Sequence, residues 1–300
     1  MRRLTALVVG ITLLLGVQVR AEPVNHARAW ASDNYATTPP NTVDNWAPLD
    51  ASALVSNTAG NPLQKSRQAA SRSRLVYDDQ VEGDVLRLGA KTLAYSSINF
   101  GLEKATARAY WYDTLTVTPH TGMPQPSQIL LTFELTGSMK VQNTATGLAT
   151  ANVVVNGDAG ASVKLLGYNP SSNPLLTGSW ATTNYVLTPD AGTSSLSMTD
   201  FIGTLTRLVD VSTGSAAISV MLESESSVPR DFNWNGNAQE VSSNFADTLT
   251  ITKITNPDGS WPVTWDYKFD SNMVPEPSTF VHLAGLALLG LVGYRWKRRR

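Results

Sequence analysis

The chain has 300 residues, with 23 Lys and Arg against 24 Asp and Glu, 3 His and no Cys. Without cysteine, disulfides, thiol nucleophiles and thiolate metal sites are excluded, and a chain without such cross-links must be large enough to bury its own core. A composition rich in Ser, Thr, Ala, Gly and Asn and poor in Lys suits an exported β protein better than a helical one.

Residues 1–21 begin with Arg2 and Arg3, continue with an apolar run over residues 4–19 and end on Val19-Arg20-Ala21. This is the pattern of a secretory signal peptide, with signal peptidase expected to cut between Ala21 and Glu22. Residues 22–74 are polar and broken by Pro39-Pro40 and Asn61-Pro62, with Arg67, Arg72 and Arg74 near the end. They read as an extension or loosely packed segment that Trp30, Tyr35 and Trp46 fasten to the main domain; an exposed aromatic binding surface is the alternative.

Residues 75–270 change to short alternating runs separated by Gly, Pro, Asn and Asp. Residues 129–136 place Ile129, Leu131, Phe133 and Leu135 on one face, and residues 263–270 alternate in the same way, so both read as half-buried strands. Leu131, Phe133, Trp265 and Tyr267 should be buried, with Thr132, Glu134, Asp266 and Lys268 outward. Further strands are expected at 85–88, 107–118, 152–155, 163–166, 185–187, 195–198, 202–208, 217–223 and 249–254, with turns at Asn156-Gly157-Asp158, Asn169-Pro170 and Pro257-Asp258-Gly259-Ser260. Residues 100–109 could form a short helix. Many alternating strands without a βαβ rhythm predict an all-β fold, an antiparallel β-sandwich.

Asp231-Phe232-Asn233-Trp234-Asn235-Gly236 has oxygen ligands at alternate positions and Gly at the sixth, as calcium loops do. Gln239 stands ninth, but Ser242 holds the twelfth position, where a bidentate acid belongs, unless Glu240 replaces it. An Asx-rich turn is the stronger reading, with at most weak calcium at Asp231, Asn233 and Asn235 and no other cofactor. The acidic stretch 78–84 reads as a solvated loop. No catalytic constellation stands out: His26 and His120 sit in polar stretches, a distant carboxylate pair is unassignable, and Glu223 and Glu225 read as surface charges. The expectation is that the chain is not an enzyme.

Residues 271–277 form a linker ending in Val274-Pro275-Glu276-Pro277, and residues 278–296 form one apolar helix. Its apolar run of 17 residues, 280–296, reaches roughly 25 Å, just enough for the hydrocarbon core. Arg295, Lys297, Arg298, Arg299 and Arg300 then stop it, with residues 297–300 as a cytoplasmic tail and the tetrapeptide on the periplasmic side of the inner membrane. His282 lies one turn in and is tolerated there. With the signal and the tail removed, residues 22–277 keep 15 Lys and Arg against 24 Asp and Glu, a formal charge of −9 that disfavours nucleic-acid binding.

The tetrapeptide, the following Ser278-Thr279, the apolar helix and the Arg-rich end together resemble the PEP-CTERM sorting signal of Gram-negative bacteria. The resemblance implies recognition by an exosortase-like membrane transpeptidase, removal of the helix, and a mature form at the cell surface or secreted, in a setting of exopolysaccharide and biofilm. Tyr112-Asp113-Thr114-Leu115-Thr116-Val117-Thr118 and Asn244-Phe245-Ala246-Asp247-Thr248-Leu249-Thr250-Ile251 resemble segments common in the ectodomains of that family, which implies jelly-roll-like strands. The combined expectation is a structural or adhesive component of the envelope or extracellular matrix; the alternative is a carbohydrate-binding module or glycan-active hydrolase.

Overall fold

The computed structural model describes residues 24–33, 41–47, 50–57, 65–78, 83–96, 103–144, 146–167, 176–180, 182–189, 195–228 and 238–271. The expected signal peptide and its Ala21/Glu22 junction, the tetrapeptide Val274 to Pro277, the apolar helix with its basic stop, the Asn169-Pro170 turn, and Asp231, Asn233 and Asn235 lie outside these residues. Within them the protein is all-β and its sheets are antiparallel.

The strands are β1 (Val24–Asp33), β2 (Asn41–Ala47), β3 (Asp50–Asn57), β4 (Lys65–Asp78), β5 (Gly83–Ser96), β6 (Glu103–Pro119), β7 (Gln128–Gln142) and β8 (Leu148–Val155). After them come β9 (Asp158–Leu166), β10 (Leu176–Gly178), β11 (Thr182–Pro189), β12 (Ser195–Asp210), β13 (Ser215–Val228), β14 (Gln239–Thr255) and β15 (Trp265–Phe269). One sheet runs β10-β9-β8-β13-β6-β1-β2, with β15 also on β6, and the other runs β11-β12-β7-β14-β5-β4-β3. The pairs are nested in sequence: β5 with β14, β6 with β13, β7 with β12, and β8 with its neighbour β9.

Alternation drives this pairing. In β6 Ala105, Ala107, Ala109, Trp111, Leu115 and Val117 are buried, while Arg108, Tyr110 and Tyr112 between them are half-exposed. β7 buries Ile129, Leu131, Phe133 and Leu135 in the same way, and the two inner faces form one hydrophobic cluster. Around Trp111 and Phe269 the core is large and apolar, whereas toward the start of β6 it is made of Ala and hydroxyl side chains. There the hydroxyl of Thr92 on β5 lies 2.7 Å from that of Ser226 and 3.2 Å from that of Ser224, both on β13. These three hydroxyls, buried between the sheets, thus satisfy one another.

Several expectations are corrected. Residues 22–74 are not a loose extension before a domain starting at 75: β1 to β3 lie within them, β4 crosses the boundary, and all four extend the two sheets. β1 pairs with β6 so that Ala27, Ala29 and Ala31 stand opposite Ala109, Ala107 and Ala105. The region of the expected helix is strand from Glu103 onward, because a period of two is enforced by the neighbours on both sides. The strands expected at 195–198 and 202–208 are one strand, β12. Glu134 faces away from the core as expected but is 8% exposed, covered between β12 and β14, and Tyr267 is only half-buried.

The end of the folded body is held by Asp113. Its carboxylate accepts hydrogen bonds from the Thr114 amide at 2.7 Å, from the Ser271 amide at 3.2 Å and from the Ser271 hydroxyl. Burial pushes this carboxyl above the usual carboxylate range, against the pull of the Ser271 hydroxyl. A folded-state value above the unfolded one means the protonated form favours folding: that stabilisation is complete below the unfolded pKa and is lost as pH rises through the folded one. Asp113→Asn should therefore remove one component of the decline in unfolding midpoint as pH goes from about 3 to about 7. Parallel melts of the two proteins check it; identical pH profiles would contradict it.

Candidate functional site

The outer face of the seven-stranded sheet carries a built irregularity. On one side of β7, Met198 of β12 pairs with Met139 and Phe201 with Gly137, so Thr199 and Asp200 bulge out opposite Ser138. On the other side, Asn244 of β14 pairs with Ser138 and Leu249 with Leu135, so residues 245–248 bulge as well. The β14 ladder with β5 breaks at the same point, between Phe245 opposite Ala90 and Leu249 opposite Leu88. Bulges bend a strand and re-aim its side chains, and two of them facing each other across a central strand open the surface between them.

Gly137 makes this possible. A Cβ there would lie 2.3 Å from Cδ1 of Phe245 and 2.7 Å from the Asn244 carbonyl oxygen. The Phe245 ring fills that space, fully buried, edge-on to Phe201 at 6.0 Å between centroids; Phe201 in turn meets Trp180 edge-on at 5.9 Å. Asp200 has φ 53°, in the left-handed region that few residues other than Gly, Asn and Asp adopt readily. Its Oδ2 accepts a hydrogen bond from the Thr199 hydroxyl at 3.3 Å.

The result is an open depression of about 500 Å³, lined chiefly by Thr136, Ser138, Asp200, Ile202, Asn244 and Thr248. The Thr248 hydroxyl oxygen is shielded from solvent yet makes no hydrogen bond among the described residues. A second depression of about 430 Å³ follows on the same face, lined by Gln68, Lys91, Leu93, Glu240 and Ser242. Ser242 and Asn244 are two residues apart on β14, so the depressions are neighbours about 7 Å apart along the strand. Hydroxyls, amides and a carboxylate around a small apolar floor can hydrogen-bond a ligand from several directions. Asp200 is the only ionisable side chain lining the first depression among the described residues.

Sequence reasoning named little of this. Of the residues considered for calcium, Gln239 is buried at the start of β14, and Glu240 lies on the outer face with its carboxylate 3.7 Å from the Lys140 ammonium. Glu223 is paired with Arg108 and Glu225 with Lys104, the latter at 2.8 Å, as charges on an outer sheet face. His120 lies 3.2 Å from Asp266 on exposed loop and strand positions. Asp78 and Asp84 stand near the ends of the hairpin strands β4 and β5. The readable signal for the depression was Gly137 inside an otherwise alternating apolar run, since glycine within a strand marks a bulge or a close approach.

The family model of the PEP-CTERM protein-sorting motif matches residues 274–300. The described residues are all-β, and the chain carries a PEP-CTERM sorting motif at its C-terminal region. The motif implies processing by an exosortase-type membrane enzyme, and a membrane-anchored precursor that becomes secreted or surface-exposed afterwards. No curated protein matches the sequence.

Proposed function

We propose that this is a non-enzymatic structural or adhesive protein of the cell envelope or extracellular matrix, associated with exopolysaccharide and biofilm. The sorting motif carries the reading. Signal peptidase would release residues 1–21, the body would face the periplasm, and the exosortase-type enzyme would separate it from the helix at 278–296. The body would be a jelly-roll-like sandwich: nested pairing of β5 with β14, β6 with β13, β7 with β12 and β8 with β9 supports this, because a folded-over ribbon of strands wrapped into two facing sheets produces that order. The second reading, a carbohydrate-binding module, is favoured by the polar depression between the bulges.

Processing gives the test. Mass spectrometry of the surface or medium fraction should find mature protein lacking residues 280–300, and replacing both Pro275 and Pro277 by alanine should leave the precursor in the membrane fraction. An intact Arg300 on the surface form would overturn the sorting reading and leave a permanent anchor.

A further inference from the structure

We propose that the paired-bulge depression and its neighbour form one binding track for a neutral, hydroxyl-rich glycan chain. This rests on the reading of the protein as a polysaccharide-associated component and names where that contact is made.

The first argument is the lining. Asp200 and Asn244 are exposed at the mouth and supply a carboxylate and an amide, groups that engage adjacent hydroxyls in pairs, while Thr136, Ser138 and Thr248 supply groups that both donate and accept. Protein partners instead anchor on buried Trp, Tyr and Arg, none of which line this depression among its described residues. A metal ion is disfavoured as well, because no group of three or more His, Cys, Asp or Glu is gathered anywhere among the described residues.

The second argument is shape and charge. A volume of about 500 Å³ is within the range of small-molecule sites, but the depression is open and a second one of about 430 Å³ lies beside it along β14, which suits a polymer segment more than a single compact ligand. Asp200 in the first depression and the formal charge of −9 over residues 22–277 disfavour uronic-acid chains, while in the second depression Lys91 and the Lys140 ammonium beside Glu240 balance the carboxylate, so the partner is neutral.

The third argument is the backbone. Two broken ladders, a left-handed Asp200 and a glycine forced by Phe245 all converge on β7 between Leu135 and Met139. Such departures destabilise a sheet unless something else requires them, and they collect where side chains must be re-aimed toward a ligand.

The experiment uses the full chain purified in detergent. It measures binding of cellohexaose, laminarihexaose, chitohexaose and isomaltohexaose, the disaccharide of each linkage, and hexamannuronate. At least one neutral hexaose should bind, its disaccharide should bind about tenfold more weakly, and hexamannuronate should not bind. Asp200→Gly, which accepts the left-handed φ, and Asn244→Ala should each weaken binding about tenfold with the unfolding midpoint unchanged, and Ser138→Leu should abolish it by filling the depression. No binding of any neutral hexaose, or binding unaltered in these three variants, would overturn the proposal. Sorting is irrelevant in this assay: a chain that is processed in the cell but binds no glycan loses this site alone, and one that binds but is never processed loses the sorting reading alone.

Discussion

Trp111→Ala should cost about 3–5 kcal/mol of stability, the range for removing a large aromatic side chain from a core. Trp111 is fully buried on the inner face of β6 and packs on Phe269 of β15 with ring centroids 5.6 Å apart. Its indole nitrogen finds no hydrogen-bond partner among the described residues, so what it contributes is packing. A body of this size loses roughly 2–4 °C in melting midpoint for each kcal/mol, so the variant should melt roughly 6–20 °C below the wild type. Trp261 is the internal control: it is 62% exposed, and Trp261→Ala should stay within about 0.5 kcal/mol of the wild type. Urea titration followed by tryptophan fluorescence and far-ultraviolet circular dichroism measures both. Equal losses for the two variants would mean that Trp111 does not sit between the sheets.

The second large effect is expected at Gly137. Gly137→Ala places a methyl group 2.3 Å from the Phe245 ring and 2.7 Å from a backbone oxygen, and neither can simply swing aside, since Phe245 is fully buried against Phe201. Overpacking of this kind costs about 1–3 kcal/mol. A double-mutant cycle shows whether the ring is the cause: in a Phe245→Leu background the penalty of Gly137→Ala should shrink, because neighbours that share a clash are not additive. Additive losses would instead place the strain in the Asn244 backbone.

The parts of the fold that could be read in advance are those where hydrophobic contrast is high. β7 and β15 alternate Ile, Leu, Phe or Trp with polar residues, and their inward positions are as the pattern requires at Leu131, Phe133 and Trp265. β1 alternates just as strictly, but with Ala27, Ala29 and Ala31 between His26, Arg28 and Trp30, so its apolar signal is weak and its proline-rich surroundings dominate the reading. Partners on other strands are what define it. The same low contrast disguises the interior around Thr92, Ser224 and Ser226, where hydroxyl pairs stand in for methyl groups.

Bulges hide for a different reason. In β12 the buried series passes from Leu196 and Met198 to Phe201 and Leu205, and the shift of phase across Thr199-Asp200 looks like the end of one strand and the start of another. Only the continuous pairing with β7 shows that the chain never leaves the sheet. The candidate site depends on that phase shift and on its counterpart in β14, which is why no single motif announced it. The segment Asn244 to Ile251 was legible as strand, whereas its role as one wall of the depression depends on Gly137, over a hundred residues earlier.

β1 and β15 lie end to end along the same edge of β6, both antiparallel to it, with Val24 standing opposite Tyr112 and Phe269 opposite Leu115. Those positions are three residues apart on β6, about 10 Å along the strand. Where the chain enters the sandwich and where it leaves are therefore almost one place, so the body is close to a closed ring in its connectivity. A short Gly-Ser bridge from Ser271 to Val24, with new ends opened at the exposed Asn156-Gly157 turn, should give a circular permutant with the same two sheets. Any cord attached at either end pulls on the folded body at this single spot, leaving the opposite sheet, with the depression between its two bulges, free to turn outward.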